Sequence, residues 1–247
     1  MHHLSNSRNY GIENMKNISI KYFFKLPDNT QEIFDLELDA QSLELVINAP
    51  ENPPQWTNLD FHQCPNCPLD SDTHPKCPLM LNLVDIVSRF DHILSYDEIS
   101  LEVVMDERSV SGHTTAQKGL SSLMGVVVAS SGCPHTKFFK PMLRFHLPLS
   151  SEAETIYRAA SMYLLAQYFI LKEGKKADFA LHGLEIIYNN VHLINTAIAE
   201  RLRFASKSDS SVNAIILLDM YTNTIPCAIE ESLEELRHLF NPYLKTQ

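Results

Sequence analysis

The spacing of apolar residues divides the chain near residue 112, and this division constrains the fold more than any other feature. Before it, apolar and polar residues alternate in short segments, which is typical of strands with one buried face, and one segment at 79–90 has helical spacing. After it, apolar residues recur at helical intervals almost to the end of the chain. We therefore predict an α+β fold, with a small antiparallel sheet and a helix in the N-terminal part and a mainly helical C-terminal part.

This division predicts three segments along the 247 residues. Residues 1–16 are expected to be a flexible N-terminus, residues 17–111 form the α+β part, and residues 112–247 form the helical part. The α+β part contains a cysteine-rich loop, 56–78, that has no hydrophobic period. We expect the two parts to fold as one cooperative unit.

Individual elements follow from the same periods. The alternating segments predict strands in an antiparallel meander, with a βαβ-like or ferredoxin-like half, at 18–24, 34–39, 42–48 and 99–105. Helical spacing predicts helices at 79–90, 114–131, 152–172, 178–205, 211–221 and 228–240. Asp178 is a predicted N-cap, Ser151 and Glu154 form a capping box, and Gly132 follows the end of its helix.

The charge balance excludes one large class of function. The chain has 20 Lys and Arg residues against 30 Asp and Glu residues, a formal net charge of −10. A protein that neutralises phosphates along nucleic acid has the opposite sign, so we expect no nucleic-acid partner. No apolar stretch approaches the roughly 18 to 20 residues needed to cross a bilayer, and residues 1–10 lack a secretory-signal pattern. We expect a cytoplasmic protein with no membrane partner and, because glycine motifs are absent, no nucleotide cofactor.

Four of the five cysteines are followed directly by proline. Cys64, Cys67 and Cys77 have the spacing C-x2-C-x9-C, and Cys133 follows at the end of a predicted helix. Three clustered thiols and one distant thiol suit a tetrahedral metal site, because a CxxC turn lets both sulfurs reach one ion. We predict that these residues hold zinc or an iron–sulfur cluster and join the two parts of the chain. Cys227 stands alone and is expected to be a packing residue.

The residues around the cysteines do not decide which side chains are the ligands or which metal they bind. His62 or His74, each in an Asp-x-His pattern before a cysteine, could replace the distant cysteine as a ligand. Proline after Cys67 disfavours a zinc-ribbon knuckle, whereas Cys-Pro recurs at iron–sulfur ligands, although this spacing matches no ferredoxin. Cys77 is the best single ligand or nucleophile, since Pro78 places it at a helix N-terminus. The alternatives are four buried neutral thiols, or a redox or nucleophilic thiol.

A second group of candidate residues lies at 138–148. If this segment is extended, Arg144 and His146 share one face, and with Lys137 and Lys140 they make the only locally basic patch in an acidic chain. A small anionic ligand or substrate could bind there. The alternative is that Arg144 and His146 are partners of core carboxylates.

Several short strings in the chain resemble an uncharacterised family of bacterial proteins, classed as a domain of unknown function. The resemblance covers roughly residues 17–245 and includes CPxCPL, SGCP and KPMxRFHLP motifs. It is carried by WTNLDFHQCPNCPL (56–69), SSLMG (121–125), SGCP (131–134), KPMLRFHLP (140–148) and ETIYRAASMYLLAQYF (154–169). It implies a bacterial cytoplasmic origin and a single unit, and it assigns no catalytic residue.

Three functions remain as hypotheses. The first is a metal-binding protein, structural or redox-sensing, whose ligands are four cysteines, or three cysteines and one histidine. The second is an enzyme in which the metal or Cys77 acts with Arg144 and His146 on a small anionic substrate, which requires these groups to line one pocket. The third is a protein interaction module without metal. The residues do not predict the oligomeric state.

Overall fold

A computed structural model describes residues 17–46 and 50–245, without the side chains of residues 221 and 223–232. The whole of the predicted flexible N-terminus, residues 1–16, and the end of the predicted strand 42–48 therefore lie outside the described residues. The side chain of Cys227, predicted to be a packing residue, lies outside them as well. The α+β fold class is confirmed, because an antiparallel sheet in the N-terminal part is followed by a mainly helical part.

The sheet has four strands in the order β2-β1-β3-β4, with every neighbouring pair antiparallel. The strands are β1 (Ile18–Lys25), β2 (Gln31–Leu38), β3 (Glu98–Met105) and β4 (Ser109–Thr115). Since β2 and β3 both run antiparallel to β1, they are parallel to each other. The connection from β2 to β3 contains a helix, so these elements form a split βαβ unit around β1.

Two features of the sheet differ from the prediction. The described part of 42–48 is not a strand, since only Leu45 forms a bridge, with Leu38, and Leu43 has a positive φ of 56°. The Asp39 carboxylate accepts two backbone N–H groups just downstream and turns the chain there. Strand β4 is not predicted, because its sequence SVSGHTT lacks apolar alternation.

Helices form most of the remaining structure. They are α1 (Pro78–Arg89), α2 (Ala116–Ser130), α3 (Lys140–Arg144), α4 (Glu152–Lys172), α5 (His182–Ala205), α6 (Ser210–Leu236) and α7 (Asn241–Leu244), with 3-10 turns at 55–57, 137–139 and 237–240. The prediction for α4 is confirmed at both ends. Its capping box is present, with the Ser151 hydroxyl accepting from the Glu154 N–H and the Glu154 carboxylate accepting from the Ser151 N–H. Among the described helices, none is long and apolar enough to span a membrane.

Three predicted helical details need correction. Helix α5 begins at His182, not at Asp178, but the Asp178 carboxylate still accepts the Gly183 N–H at 2.8 Å from upstream. Helix α6 continues through the predicted break between 221 and 228, because it packs along α2 and α5 and tertiary contacts override local propensity. The segment 138–148 is not extended, since Pro141 stands in the first turn of α3.

One hydrophobic cluster joins the sheet to the helices. Tyr22 and Phe24 on β1 are fully buried against residues of α1 and α2, and the same cluster includes residues of α5 and α6. Helix α2 approaches the sheet closely at Gly119, where an added Cβ would lie 2.7 Å from Ile99 Cδ1. A smaller cluster packs α4 against the start of α5. The first cluster therefore holds the start of α1 close to the end of α2. Cys77 and Cys133 lie at these two helix ends.

Candidate metal centre

Four cysteines line one small cavity of about 20 Å³. Cys64 and Cys67 come from the loop, Cys77 directly precedes α1, and Cys133 follows α2. All four are free thiols and partly buried. The structure thus brings together the four cysteines that the spacing singled out, from three separate segments of the chain.

The loop is fixed in place by buried side chains and backbone hydrogen bonds. Trp56 and Leu59 are buried at its start, and the Cys77 N–H donates to the Thr57 carbonyl at 2.8 Å. The Cys67 N–H donates to the Cys64 carbonyl at 3.0 Å, which closes the CxxC turn. These contacts bring both ends of the loop to the start of α1.

Helix ends position the other two thiols. Cys77 is the N-cap residue of α1 and Pro78 occupies its first turn, as predicted. Gly132 follows the C-cap of α2 with a φ of +79°, also as predicted, and reverses the chain so that Cys133 faces the loop. Behind it, the Thr136 hydroxyl donates to the Val128 carbonyl at 2.7 Å and holds the turn against α2.

Arg201 places a buried cation beside the cysteines. Its side chain lines the same cavity, and the residue is only 2% exposed. The guanidinium donates to backbone carbonyls of the loop, at 2.9 Å to Asn58 and Leu59 and at 3.2 Å to His62. In the described part of the chain these are hydrogen bonds to neutral groups, and Glu200, its neighbour in α5, pairs with His62 instead. A buried cation bonded only to neutral groups favours nearby negative charge.

The ionisation of the thiols reflects two opposing effects. Burial, with Cys77 as the next largest cause, raises the pKa of the Cys64 thiol to about 12, against the opposing charge of Arg201. Burial also raises the pKa of Cys77 and of Cys133. Backbone N–H groups of residues 79 and 80 oppose the rise at Cys77, and those of residues 135 and 136 oppose it at Cys133. These three thiols are therefore neutral at pH 7 unless a cation compensates the charge, and N–H donors already face two of them.

The thiols share a cavity without forming a complete ligand set. Within the described ranges, no three His, Cys, Asp or Glu side chains are arranged closely enough to hold a metal ion. In this structure the four thiols line one cavity but do not converge on a common centre.

The two histidines proposed as alternative ligands lie outside this cavity. His62 has a φ of 47° and its Nδ1 lies 3.2 Å from the Glu200 carboxylate. His74 is exposed, and its Nδ1 lies 2.9 Å from the Thr73 hydroxyl. The cysteine cavity is instead lined by His135, whose Nε2 lies 2.7 Å from the Asn66 carbonyl.

Sequence reasoning missed His135 and Arg201. Arg201 falls three residues after Ile198, on the apolar stripe of the predicted helix 178–205, where a charged residue is unusual. A charged residue on this stripe was the signal from which the role of Arg201 could have been predicted. His135 follows the Cys133-Pro134 pair, but a single histidine in a loop carries no comparable signal.

The second group of candidate residues does not form one site with the cysteines. Arg144 is partly exposed and pairs with Glu107 at 3.1 Å. His146 is half-buried and lines a separate, larger cavity, where its Nε2 lies 2.5 Å from the Tyr22 hydroxyl. Burial lowers the pKa of His146 to about 3. Because Cys77 lines the cysteine cavity, the structure does not bring Arg144, His146 and Cys77 to one pocket.

The remaining basic residues of this segment also lie apart from the cysteines. Lys140 pairs with Glu44 at 3.1 Å, and Lys137 lies over the Phe138 ring at the surface. The basic side chains of the predicted patch at 137–146 therefore contact different partners.

Comparison with known proteins gives one match. A family model described as a domain of unknown function (DUF6901) matches residues 20–241. No curated protein and no solved structure matches the chain. The matched range contains the sheet, the loop and all four cysteines of the cavity.

Proposed function

Because the chain belongs to the DUF6901 family, a domain of unknown function, we propose its function from the geometry. The protein binds a metal ion through Cys64, Cys67, Cys77 and Cys133. The observation that carries this proposal is the meeting of four free thiols from three chain segments at one small cavity. The ion would fasten the loop to the ends of α1 and α2.

The size of the cavity supports a single ion. About 20 Å³ is the space of roughly one water molecule, and a tetrahedral zinc ion lies about 2.3 Å from each sulfur. An iron–sulfur cluster adds several iron and sulfide atoms and needs a larger space. Among the metals predicted from the sequence, zinc is therefore the proposed occupant.

The charges around the cavity support thiolate ligands. Four thiolates around a divalent ion carry two net negative charges, and the buried Arg201 guanidinium offsets part of them. Backbone N–H groups at the start of α1 and after Cys133 face two of the sulfurs. Metal binding requires the thiols to lose protons and turn towards the centre of the cavity.

A site with four thiolate ligands leaves no open coordination position. Such closed sites are structural, whereas catalytic zinc sites keep a position for water or substrate. We therefore assign the ion a structural role. Free cysteines that persist as ligands fit a reducing compartment, so the proposed location is a cytoplasm.

Elemental analysis of the anaerobically purified full chain tests this proposal. We expect one zinc per chain, no absorbance near 400 nm, and loss of most bound zinc in Cys64→Ser and Cys133→Ser. Cys227→Ser is the matched control, because the cysteine spacing leaves this residue out of the proposed ligand set, and it should keep its zinc. A folded protein without metal would overturn the proposal, and brown protein containing several irons would replace zinc with a cluster.

A further inference from the structure

A second cavity, separate from the cysteines, lies among the helices. Its volume is about 530 Å³, and its described lining comes from the end of β4, from α2, α4, α5 and α6, and from the segment 139–151. Cavities that bind small organic molecules have volumes of roughly 300 to 1,000 Å³. The space is therefore large enough for a small ligand, and the metal proposal makes no use of it.

The charges lining this cavity all have one sign. Lys118 and Arg158 line it, and its described lining contains no Asp or Glu, in a chain with a net charge of −10. In the described part of the chain neither cation forms a carboxylate ion pair, although the charge of Glu154, one turn earlier on α4, acts on Arg158. Among the described residues, only the Nη2 of Arg158 is hydrogen-bonded, to the carbonyls of Met142 and Phe145 at 2.7 and 3.0 Å, so Nε and Nη1 remain for an anion.

One buried donor in the wall lacks a partner. Asn195 on α5 is 2% exposed, lines the cavity, and its Nδ2 has no hydrogen-bond acceptor among the described residues. A buried amide N–H without an acceptor lowers the free energy of unfolding. A bound molecule that supplies an oxygen removes this penalty. Arg158 interacts electrostatically with Tyr188, which lines the same cavity and precedes Asn195 by two helical turns, or about 10 Å. The donor and the cation therefore sit at different depths of the same cavity.

The rest of the wall mixes apolar and hydroxyl side chains. The apolar residues include Val126, Phe139, Leu143, Leu147 and Leu218, and serine and threonine residues such as Ser122, Thr155 and Thr222 also line the cavity. His146 adds no positive charge, because burial keeps its ring neutral at pH 7. The lining thus offers cations for one charged group and a long apolar surface for the remainder of a ligand.

We propose that this cavity binds an apolar monocarboxylic acid of the fatty-acid type. The carboxylate lies at Arg158 with Lys118 adding positive charge, and the hydrocarbon chain runs along the apolar wall. The preferred ligand carries a hydroxyl or keto oxygen farther along this chain, and Asn195 donates to that oxygen. The proposal is independent of the metal centre, because the two cavities share none of the lining residues that the structure describes.

Calorimetric titration of the full chain, as purified with its metal, tests the proposal. Octanoate, decanoate and dodecanoate should bind one per chain, with affinity rising about fourfold per added methylene. Decanol has the same chain without the charge and should bind at least tenfold more weakly than decanoate. Equal binding of decanol, or binding of inorganic phosphate as tight as that of decanoate, would overturn the assignment of a carboxylate.

Three variants separate recognition from folding. Lys118→Gln should weaken decanoate binding about threefold to tenfold, whereas Lys25→Gln, an exposed lysine outside the cavity, should not change it. Arg158→Gln should weaken binding further, with thermal melting measured alongside because Arg158 also holds two carbonyls. If Lys118→Gln and Lys25→Gln behave alike, the proposed charge recognition is wrong.

The variant Asn195→Leu distinguishes a ligand-binding role of Asn195 from a structural role. Removing a buried unpartnered donor should leave the thermal stability unchanged or raise it. The wild-type chain should bind ω-hydroxydecanoate more tightly than decanoate, and the variant should lose this preference. A wild-type chain without the preference would contradict the role of Asn195.

Discussion

Arg201 is the residue on which the cysteine loop depends most. Its guanidinium supplies the donors for the carbonyls of Asn58, Leu59 and His62, and buried carbonyls without donors cost about 1 to 3 kcal/mol each. Arg201→Met should therefore lower the free energy of unfolding by about 3 kcal/mol or more and loosen the loop. Arg203→Met, an exposed arginine two residues along the same helix, should stay within about 0.5 kcal/mol of wild type. Urea unfolding of both variants measures the difference, and equal effects would contradict this role.

His146 should make stability depend on pH. Burial lowers its pKa from 6.5 to about 3 in the folded chain, so between these values the unfolded chain binds a proton that the folded chain does not. Its contribution to stability is complete above pH 6.5 and is lost as the pH falls, by about 1.4 kcal/mol per pH unit.

The difference between variants isolates this contribution. Urea unfolding between pH 7 and pH 5 should show a shallower loss of stability in His146→Gln than in wild type. His74→Gln, at an exposed histidine, should keep the wild-type slope. If the slope is the same in all three proteins, His146 is not a buried neutral histidine.

At the scale of elements, helix α2 delivers Cys133 to the site through its last turn. Gly132 has a φ of +79°, and a side chain there costs about 1 to 2 kcal/mol. Gly132→Ala should lower the free energy of unfolding by that amount and weaken metal retention. Gly125→Ala, inside the same helix, should raise stability by about 0.5 to 1 kcal/mol, since its Cβ meets Leu218 Cδ2 at an ordinary 3.7 Å. Melting both variants tests the pair, and two changes of the same sign would contradict it.

Elements with local signals could be predicted from the sequence, and elements decided by distant contacts could not. Pro78 and the Ser151–Glu154 capping box mark helix starts within a few residues, and both are confirmed. Strand β4 is polar and forms because β3 offers it an edge. Helix α6 remains continuous because α2 and α5 pack along it. The extended prediction for 138–148 failed because the helix-starting proline outweighed a chance alternation.

At the scale of the whole molecule, the candidate site joins segments far apart in the sequence. The spacing of the cysteines predicted which thiols line one cavity, because the chain contains only one other cysteine, Cys227. It could not identify Arg201, since the contact between α5 and the loop depends on the folded chain. The separation of His146 from the cysteines could not be predicted from the sequence either, because it depends on how α3 packs.

Metal removal should destabilise the whole molecule. If free zinc is about a hundredfold above its dissociation constant, binding contributes about 2.7 kcal/mol to the folded state. For a chain of this length, chelation should lower the melting temperature by roughly 5 to 10 °C. Re-addition of zinc should restore it. Calorimetry with and without chelator measures the shift, and an unchanged melting temperature would show that the ion does not fasten the fold.

X-ray absorption at the zinc edge of the purified chain tests the metal centre most directly. Four thiolates predict a single shell of sulfur at about 2.3 Å, with no lighter ligand. A nitrogen shell at about 2.0 to 2.1 Å would place His135 among the ligands in place of one cysteine. Zinc surrounded only by oxygen or nitrogen would contradict a site built from Cys64, Cys67, Cys77 and Cys133.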